Sequence, residues 1–219
     1  MKSRVHVHLM STPGQTERLT RLQATFAAAC NALSPLAAET RCWNRVALHH
    51  LAYKQLREAF PELGSQMVCN AIYSVSRACR AVYQHPTSPF NLARLEGKPL
   101  PTLRFAARSP VYFDRHTLSI KNGQASMFTL DGRMRFQIEL SPEVTEHFRT
   151  TRLREILLGS KGEQFSLSFV FDDEQADDPV GKRGAPTEDF DAVSGHVKVE
   201  PPQESSPTSI AHSRAALQT

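Results

Sequence analysis

No apolar run in this sequence approaches the roughly 20 residues a helix needs to cross a bilayer, so no membrane partner is expected. Residues Met1 to Met10 lack the unbroken apolar core of a secretion signal, so a cytoplasmic protein is expected. The four cysteines, Cys30, Cys42, Cys69 and Cys79, include no pair at the two-residue spacing of a zinc knuckle or ribbon. In a cytoplasmic chain disulfides are not expected. Cys30, Cys69 and Cys79 lie among alanines and aliphatics and read as buried thiols. The glycine loop that cradles nucleotide phosphates is missing, and no local pattern announces Ser/His/Asp or Cys/His catalysis. Histidines offer little more. His49 and His50 are adjacent, so on a helix they point about 100° apart. His6 and His8 share a strand face but have no third ligand nearby. No metal and no cofactor is expected.

What is present is a globular composition with a lopsided charge. Hydrophobic residues make up 40% of the chain and charged ones 22%, which suits a folded core more than wholesale disorder. The net charge of +4 conceals two halves. Residues 172–219 hold ten Asp/Glu against four Lys/Arg, a balance of −6, and residues 1–171 carry the remaining +10. A basic body with an acidic tail points toward a polyanionic partner, nucleic acid above all.

The hydrophobic period changes along the chain. "RVHVHLM" alternates and reads as a strand. Leu19, Leu22, Phe26, Cys30 and Leu33 then recur at helical spacing, with Thr12 or Gly14 marking the start. A second helix is expected from Asn44 as N-cap, and a third, capped by Ser65, carries Val68, Ile72, Val75, Cys79 and Val82 on one line. The five-residue connection between them implies an antiparallel hairpin. After a proline-rich loop the period falls to two. "TLRFAA", "VYFD", "TLSIK", "ASMFTL" and "MRFQIEL" read as strands, with Asn122-Gly123 and Asp131-Gly132 as hairpin turns. Residues 141–159 read as a fourth helix, with Ser141 as N-cap and Pro142 at its first position. "EQFSLSFVFD" reads as a last strand. The expected class is α+β: a small antiparallel OB-like β-barrel with an inserted helical lobe, followed by a disordered acidic tail. The expected domains are a barrel of residues 1–12 and 100–171, a helical lobe of residues 13–99, and a tail of residues 172–219. Barrel closure would protect strand edges. The tail is too poor in apolar periodicity to offset its ordering entropy, roughly 1–2 kcal/mol per backbone residue.

Three stretches carry a family resemblance. "LHHLAYKQLREAFPELGSQMVCNAIYSVSRACRAVYQ", "PTLRFAARSPVYFDRHTLSIKNGQASMFTLDGRMRFQIEL" and "LLGSKGEQFSLSFVF", in this order, resemble the N-terminal half of the TnpB family. That family comprises transposon-encoded, RNA-guided DNA endonucleases related to type V CRISPR effectors. The opening "TPGQTERLTRLQATFAAACN" is similar to its first strand and helix, so the resemblance spans about residues 3–171. It implies a wedge-like barrel that binds guide RNA and a helical recognition lobe that meets the guide–target duplex and a short flanking DNA motif. In the family a RuvC-like nuclease and a four-cysteine zinc ribbon follow this half. Residues 172–219 match neither, because their acids, such as Asp177, Asp178 and Asp189, have no sheet to hold them around metal. The implied protein is a non-catalytic, nuclease-deficient, transposon-associated binder of a guide-like RNA, and through it of DNA, in a bacterial or archaeal cytoplasm or nucleoid. The alternatives are one subunit of a split nuclease whose RuvC domain is on another chain, or a decayed transposon remnant.

The candidate contact residues fall into three groups. Arg41, Arg45, Lys54, Arg57, Arg77 and Arg80 could neutralise phosphates, or could simply solvate helix faces. Gln66, Asn70 and Ser74 recur every four residues on the third helix. They read as a polar outer face whose amides could bond base edges; the resemblance puts the flanking DNA motif against this helix. Arg104, Arg108, Arg115, Lys121, Arg133 and Arg135 decorate the strands and turns, interleaved with Tyr112, Phe113, Phe128 and Phe136. The arginines read as RNA-backbone contacts, while Phe128 and Phe136 read as core. Trp43, beside Cys42, also reads as core.

Overall fold

The computed structural model describes residues 2–172 and 193–202. It is an α+β protein with five helices and three antiparallel sheets among the described residues. No closed barrel is formed among the described residues, which corrects the expected barrel closure. The chain divides into two compact units, Met1–Leu22 with Pro110–Gly184 and Gln23–Ser109 with Ala185–Thr219.

In the first unit, β1 (Lys2–His8), β3 (Val111–Phe113), β7 (Arg152–Lys161) and β8 (Gln164–Asp172) form a sheet in the order β1-β8-β7-β3. A meander of β4 (Leu118–Lys121), β5 (Gln124–Thr129) and β6 (Gly132–Gln137) forms another. Both expected turns hold. Asn122 and Gly123 have φ of 50° and 70°, the two positive values that match a tight turn to strand twist, while at Asp131-Gly132 only Gly132, at 92°, is left-handed. Alternation places Ala125, Met127, Met134 and Phe136 in the core. Phe128 does not follow its expected burial. It is 40% exposed, and the Arg133 guanidinium lies 4.3 Å from its ring centroid. Its position one residue out of phase with Met127 puts it on the solvent face.

The fourth expected helix is only half there. α5 (Pro142–Thr150) starts as read, with Ser141 Oγ accepting from the Val144 N–H, but it ends before Arg152. Residues 152–161 are strand β7, hydrogen-bonded to β8 along almost its whole length. The reason is a long-range partner. Phe165, Leu167, Phe169 and Phe171 of β8 form a buried row, and Ile156 and Leu158 join it only if their segment is extended. Gly162, at φ 62°, closes this hairpin. Thr12 and Gln15 cap the helix that follows β1: the Thr12 N–H donates to Gln15 Oε1 at 3.0 Å and the Gln15 N–H donates to Thr12 Oγ1 at 3.3 Å. That helix, α1 (Pro13–Glu39), has Pro at its first position and runs on into the second unit.

The second unit holds the rest of α1, α2 (Arg45–Ala59), α3 (Ser65–Tyr83), the single turn α4 (Leu92–Leu95), β2 (Thr102–Phe105) and β9 (Val197–Glu200). Its core holds the expected apolar residues Phe26, Cys30 and Leu33 of α1 and Val68, Ile72, Val75, Cys79 and Val82 of α3, joined by Leu48, Ala52 and Leu56 of α2. Asn44 caps α2 as read, its Oδ1 accepting from the N–H groups of Val46 and Ala47. Gly64, not Ser65, is the N-cap of α3. Trp43 is buried, with its ring centroid 5.3 Å from that of Tyr83, and Ser76 Oγ donates to its carbonyl at 2.6 Å.

The expected disordered tail is corrected in part. Val197–Glu200 is a strand paired antiparallel with β2, with Phe105 opposite Val197 and Leu103 opposite Val199. In "HVKVE" the valines alternate with polar residues, a short strand pattern masked by the acidic, proline-rich sequence around it. Residues 173–192 and 203–219 lie outside the described residues. The other edge of β2 is held by helix side chains. Asn31 donates through Nδ2 to the Phe105 carbonyl at 3.0 Å and accepts the Phe105 N–H on Oδ1 at 2.7 Å, as a neighbouring strand would. Ser34 Oγ accepts the Leu103 N–H at 3.0 Å.

Candidate nucleic-acid interface

Helical periodicity puts Arg45 and His49 side by side on α2, with Tyr53 one turn on, and Gln66, Cys69, Tyr73 and Arg77 on one face of α3. Where α2 and α3 pack together, these faces border a groove of about 370 Å³ lined by Arg45, Val46, His49, Gln66, Cys69 and Ile72. Beside it the guanidinium carbons of Arg45 and Arg77 lie 5.2 and 5.6 Å from the Tyr73 ring centroid. Both distances fall within cation–π range. His49 stacks on Tyr53 at 4.6 Å with the planes 20° apart, and Val46, 64% exposed, adds an apolar edge. The face therefore offers two permanent cations, stacked rings and an amide. These are the chemical parts that hold a phosphate chain and its bases.

The structure brings Arg45, Gln66 and Arg77 together here. The other two residues of the expected readout trio do not join Gln66. Asn70 and Ser74 are buried, at 5% and 6% exposure. The Asn70 amide approaches the sulfur of Met67 at 4.0 Å, and the Ser74 hydroxyl bonds the buried Cys30 thiol. A four-residue step advances 400°, so three such residues drift around a helix 3.6 residues in pitch. Here α3 is enclosed on most sides, and that drift carries Asn70 and Ser74 inward. The expectation that they present amide and hydroxyl groups to a base is corrected on this geometry.

The remaining candidates are dispersed. Lys54 is exposed on α2. Arg41, at φ 50°, is tied down, its guanidinium donating to the carbonyls of Gly97 at 3.2 Å and Lys98 at 3.0 Å. Arg80 Nε donates back to the Ser76 carbonyl at 3.4 Å, and Arg57 donates to the Leu63 carbonyl. Arg104 on β2 and Arg108 just after it are exposed. In the first unit Lys121 is exposed on β4, where it borders a groove with Phe148 and Arg149. Arg133 is also exposed there, lies over Phe128 and donates to the carbonyls of His116 and Ser126. An arginine that already serves backbone carbonyls can still meet a phosphate with its free N–H groups, having five donors in all.

Burial raises the Cys30 and Cys79 thiols and the Tyr83 phenol far above their ordinary values, so none of them ionises near neutrality. Cys69 was read as buried but is half-exposed at the groove. His196, in the turn that leads into β9, is held below its ordinary value, first by burial and then by the nearby charge of Arg77. Among the described residues no three His, Cys, Asp or Glu side chains are grouped to hold a metal ion, and no described helix is long and apolar enough to cross a membrane.

Tyr73 and His49 went unnoticed as site residues in the sequence. Their signal was there, in the aromatic or imidazole ring placed four residues from a cation on each helix. No protein-family model matches the chain, and no curated protein matches it.

Proposed function

We propose that the chain is a nucleic-acid-binding protein whose α2–α3 face grips a phosphodiester backbone. The observation that carries this is the convergence of Arg45 and Arg77 on Tyr73, beside the groove that Gln66 and His49 line. Two guanidiniums within 6 Å of one ring concentrate positive charge where an aromatic surface is also offered, a combination suited to a phosphate and its attached base.

The preferred ligand is RNA of the guide type, with DNA engaged through it. This rests on the resemblance to the TnpB recognition and wedge lobes. The sheets of the first unit would then correspond to an OB-like wedge that holds the RNA scaffold, with Lys121 and Arg133 as backbone contacts. No catalytic step is assigned to residues 1–219.

The test has two arms. Protein recovered from its host is stripped and the accompanying RNA sequenced; one enriched structured species is expected. Arg45→Gln/Arg77→Gln is then compared with the native protein on that RNA across a salt series. Loss of two phosphate contacts should flatten the slope of log K against log salt by about 1.4, or 0.7 per contact on a single strand. Without any enriched RNA the guide reading fails. An unchanged slope removes the α2–α3 face from it.

A further inference from the structure

We infer that the β2–β9 ribbon is a second seat for a phosphodiester strand, built from Arg104 and Lys198. The register of the two strands puts these residues directly opposite each other. Cross-strand partners lie about 4.5–5.5 Å apart at their Cβ atoms, and like charges in that position destabilise a sheet. Both side chains are exposed, and neither is engaged in an ion pair among the described residues. Natural strand pairs usually place a neutral or acidic residue at such a position. Two cations there make chemical sense when an anion bridges them.

The surroundings fit a strand of phosphates. Arg104 and Lys198 line a groove of about 580 Å³ together with Ala24, Ala27, Ala28 and Asn31 of α1. The alanines leave the floor shallow, so a backbone can lie close to the two cations. Among the described residues Glu200 is the one acid lining the groove. Asn31 and Ser34 hold β2 along the edge away from β9, so Arg104 projects from a fixed strand. The seat is also tied to the face described above. His196, two residues before Lys198, lies near enough to Arg77 to feel its charge, and its carbonyl accepts from the Ala106 N–H at 3.0 Å and the Ser109 hydroxyl at 3.0 Å. The inference goes beyond the proposed function, because it makes residues 197–200, far along the chain in acidic sequence, part of the binding surface.

The experiment measures binding of a fluorescein-labelled 20-nucleotide oligouridylate by anisotropy across a salt series. Lys198→Glu is the decisive variant, because it places an acid opposite Arg104 and so supports the strand pair while spoiling the anion seat. The expected result is a melting temperature equal to or above that of the native protein, with affinity at least tenfold lower. Arg104→Gln/Lys198→Gln should flatten the salt slope by about 1.4. Native affinity in Lys198→Glu, or no binding of oligouridylate by the native protein, overturns the inference. So does equally tight, equally Lys198-dependent binding of polyglutamate, which would make the seat one for acidic peptide. If the ribbon variants lose affinity while Arg45→Gln/Arg77→Gln does not, the ribbon stands and the α2–α3 face falls.

Discussion

The two units solve the same problem, the pairing of buried backbone polar groups, by different means. In the first unit strands meet strands. The β7–β8 hairpin is paired from end to end apart from one irregularity between Leu153 and Glu155, and β1 pairs with β8 over seven residues. In the second unit, side chains stand in for missing strands. Asn31 and Ser34 satisfy β2, Ser76 takes the Trp43 carbonyl, Tyr83 the Pro101 carbonyl and Arg41 two carbonyls of the loop before β2. A unit held by ladders can leave its polar side chains to solvent. One held by side chains must turn several inward, and there a polar residue in the sequence is no guide to the surface.

That difference can be broken first in the ladder unit. Phe169 is fully buried in β8. Phe169→Ala should lower unfolding free energy by about 3–5 kcal/mol in chemical denaturation, through lost packing alone. A loss under about 1 kcal/mol would mean that the row of aromatics on β8 is not the core of its sheet.

In the other unit the sensitive residue should be polar. Asn31→Ala removes both partners of the Phe105 backbone and should cost about 2–6 kcal/mol, with each orphaned buried group worth about 1–3 kcal/mol. Hydrogen exchange at the Phe105 amide should accelerate in step. If the variant melts like the native protein, side-chain pairing is not what secures β2.

The smallest effect concerns pH and sharpens the comparison at β9. His196 sits below its ordinary value near 6.5, so the unfolded chain binds its proton first as pH falls. Its neutral form therefore supports the fold fully above about 6.5, and that support fades as the pH drops through the folded value. Denaturation midpoints at pH 7.5 and 5.5 should differ more for the native protein than for His196→Gln. Equal differences would mean that neither burial nor Arg77 acts on this ring.

Much of this was legible beforehand. The three long helices follow from apolar spacing of three and four, with Asn44 and Ser141 capping as their side chains allow. The meander follows from two Gly turns that need left-handed backbone. At the candidate interface Arg45, Gln66 and Arg77 were named from the sequence, since exposed arginines and an amide on amphipathic helices are visible in a pattern. Tyr73 was not, because an aromatic on a helix is ordinarily core, and only the packing of α2 on α3 shows two guanidiniums beside it. Asn70 and Ser74 were read outward because polarity suggested it. Their burial depends on which faces of α3 are covered, which no local pattern states. The same limit applied to residues 152–161 and 197–200. "RLREILLG" satisfies helical and extended patterns alike, and four residues of alternating valine say little inside an acidic stretch.

By itself, then, the sequence determined the period of each long segment, the places where the chain must turn, and the excess of positive charge before the acidic end. Those properties arise within a few residues, from side-chain geometry and backbone sterics. Only the tertiary structure decided that Arg152–Lys161 is extended, that Val197–Glu200 returns to β2, and that Arg104 faces Lys198. Strand pairing draws its free energy from partners distant in sequence, and local preferences of under about 1 kcal/mol per residue yield to it.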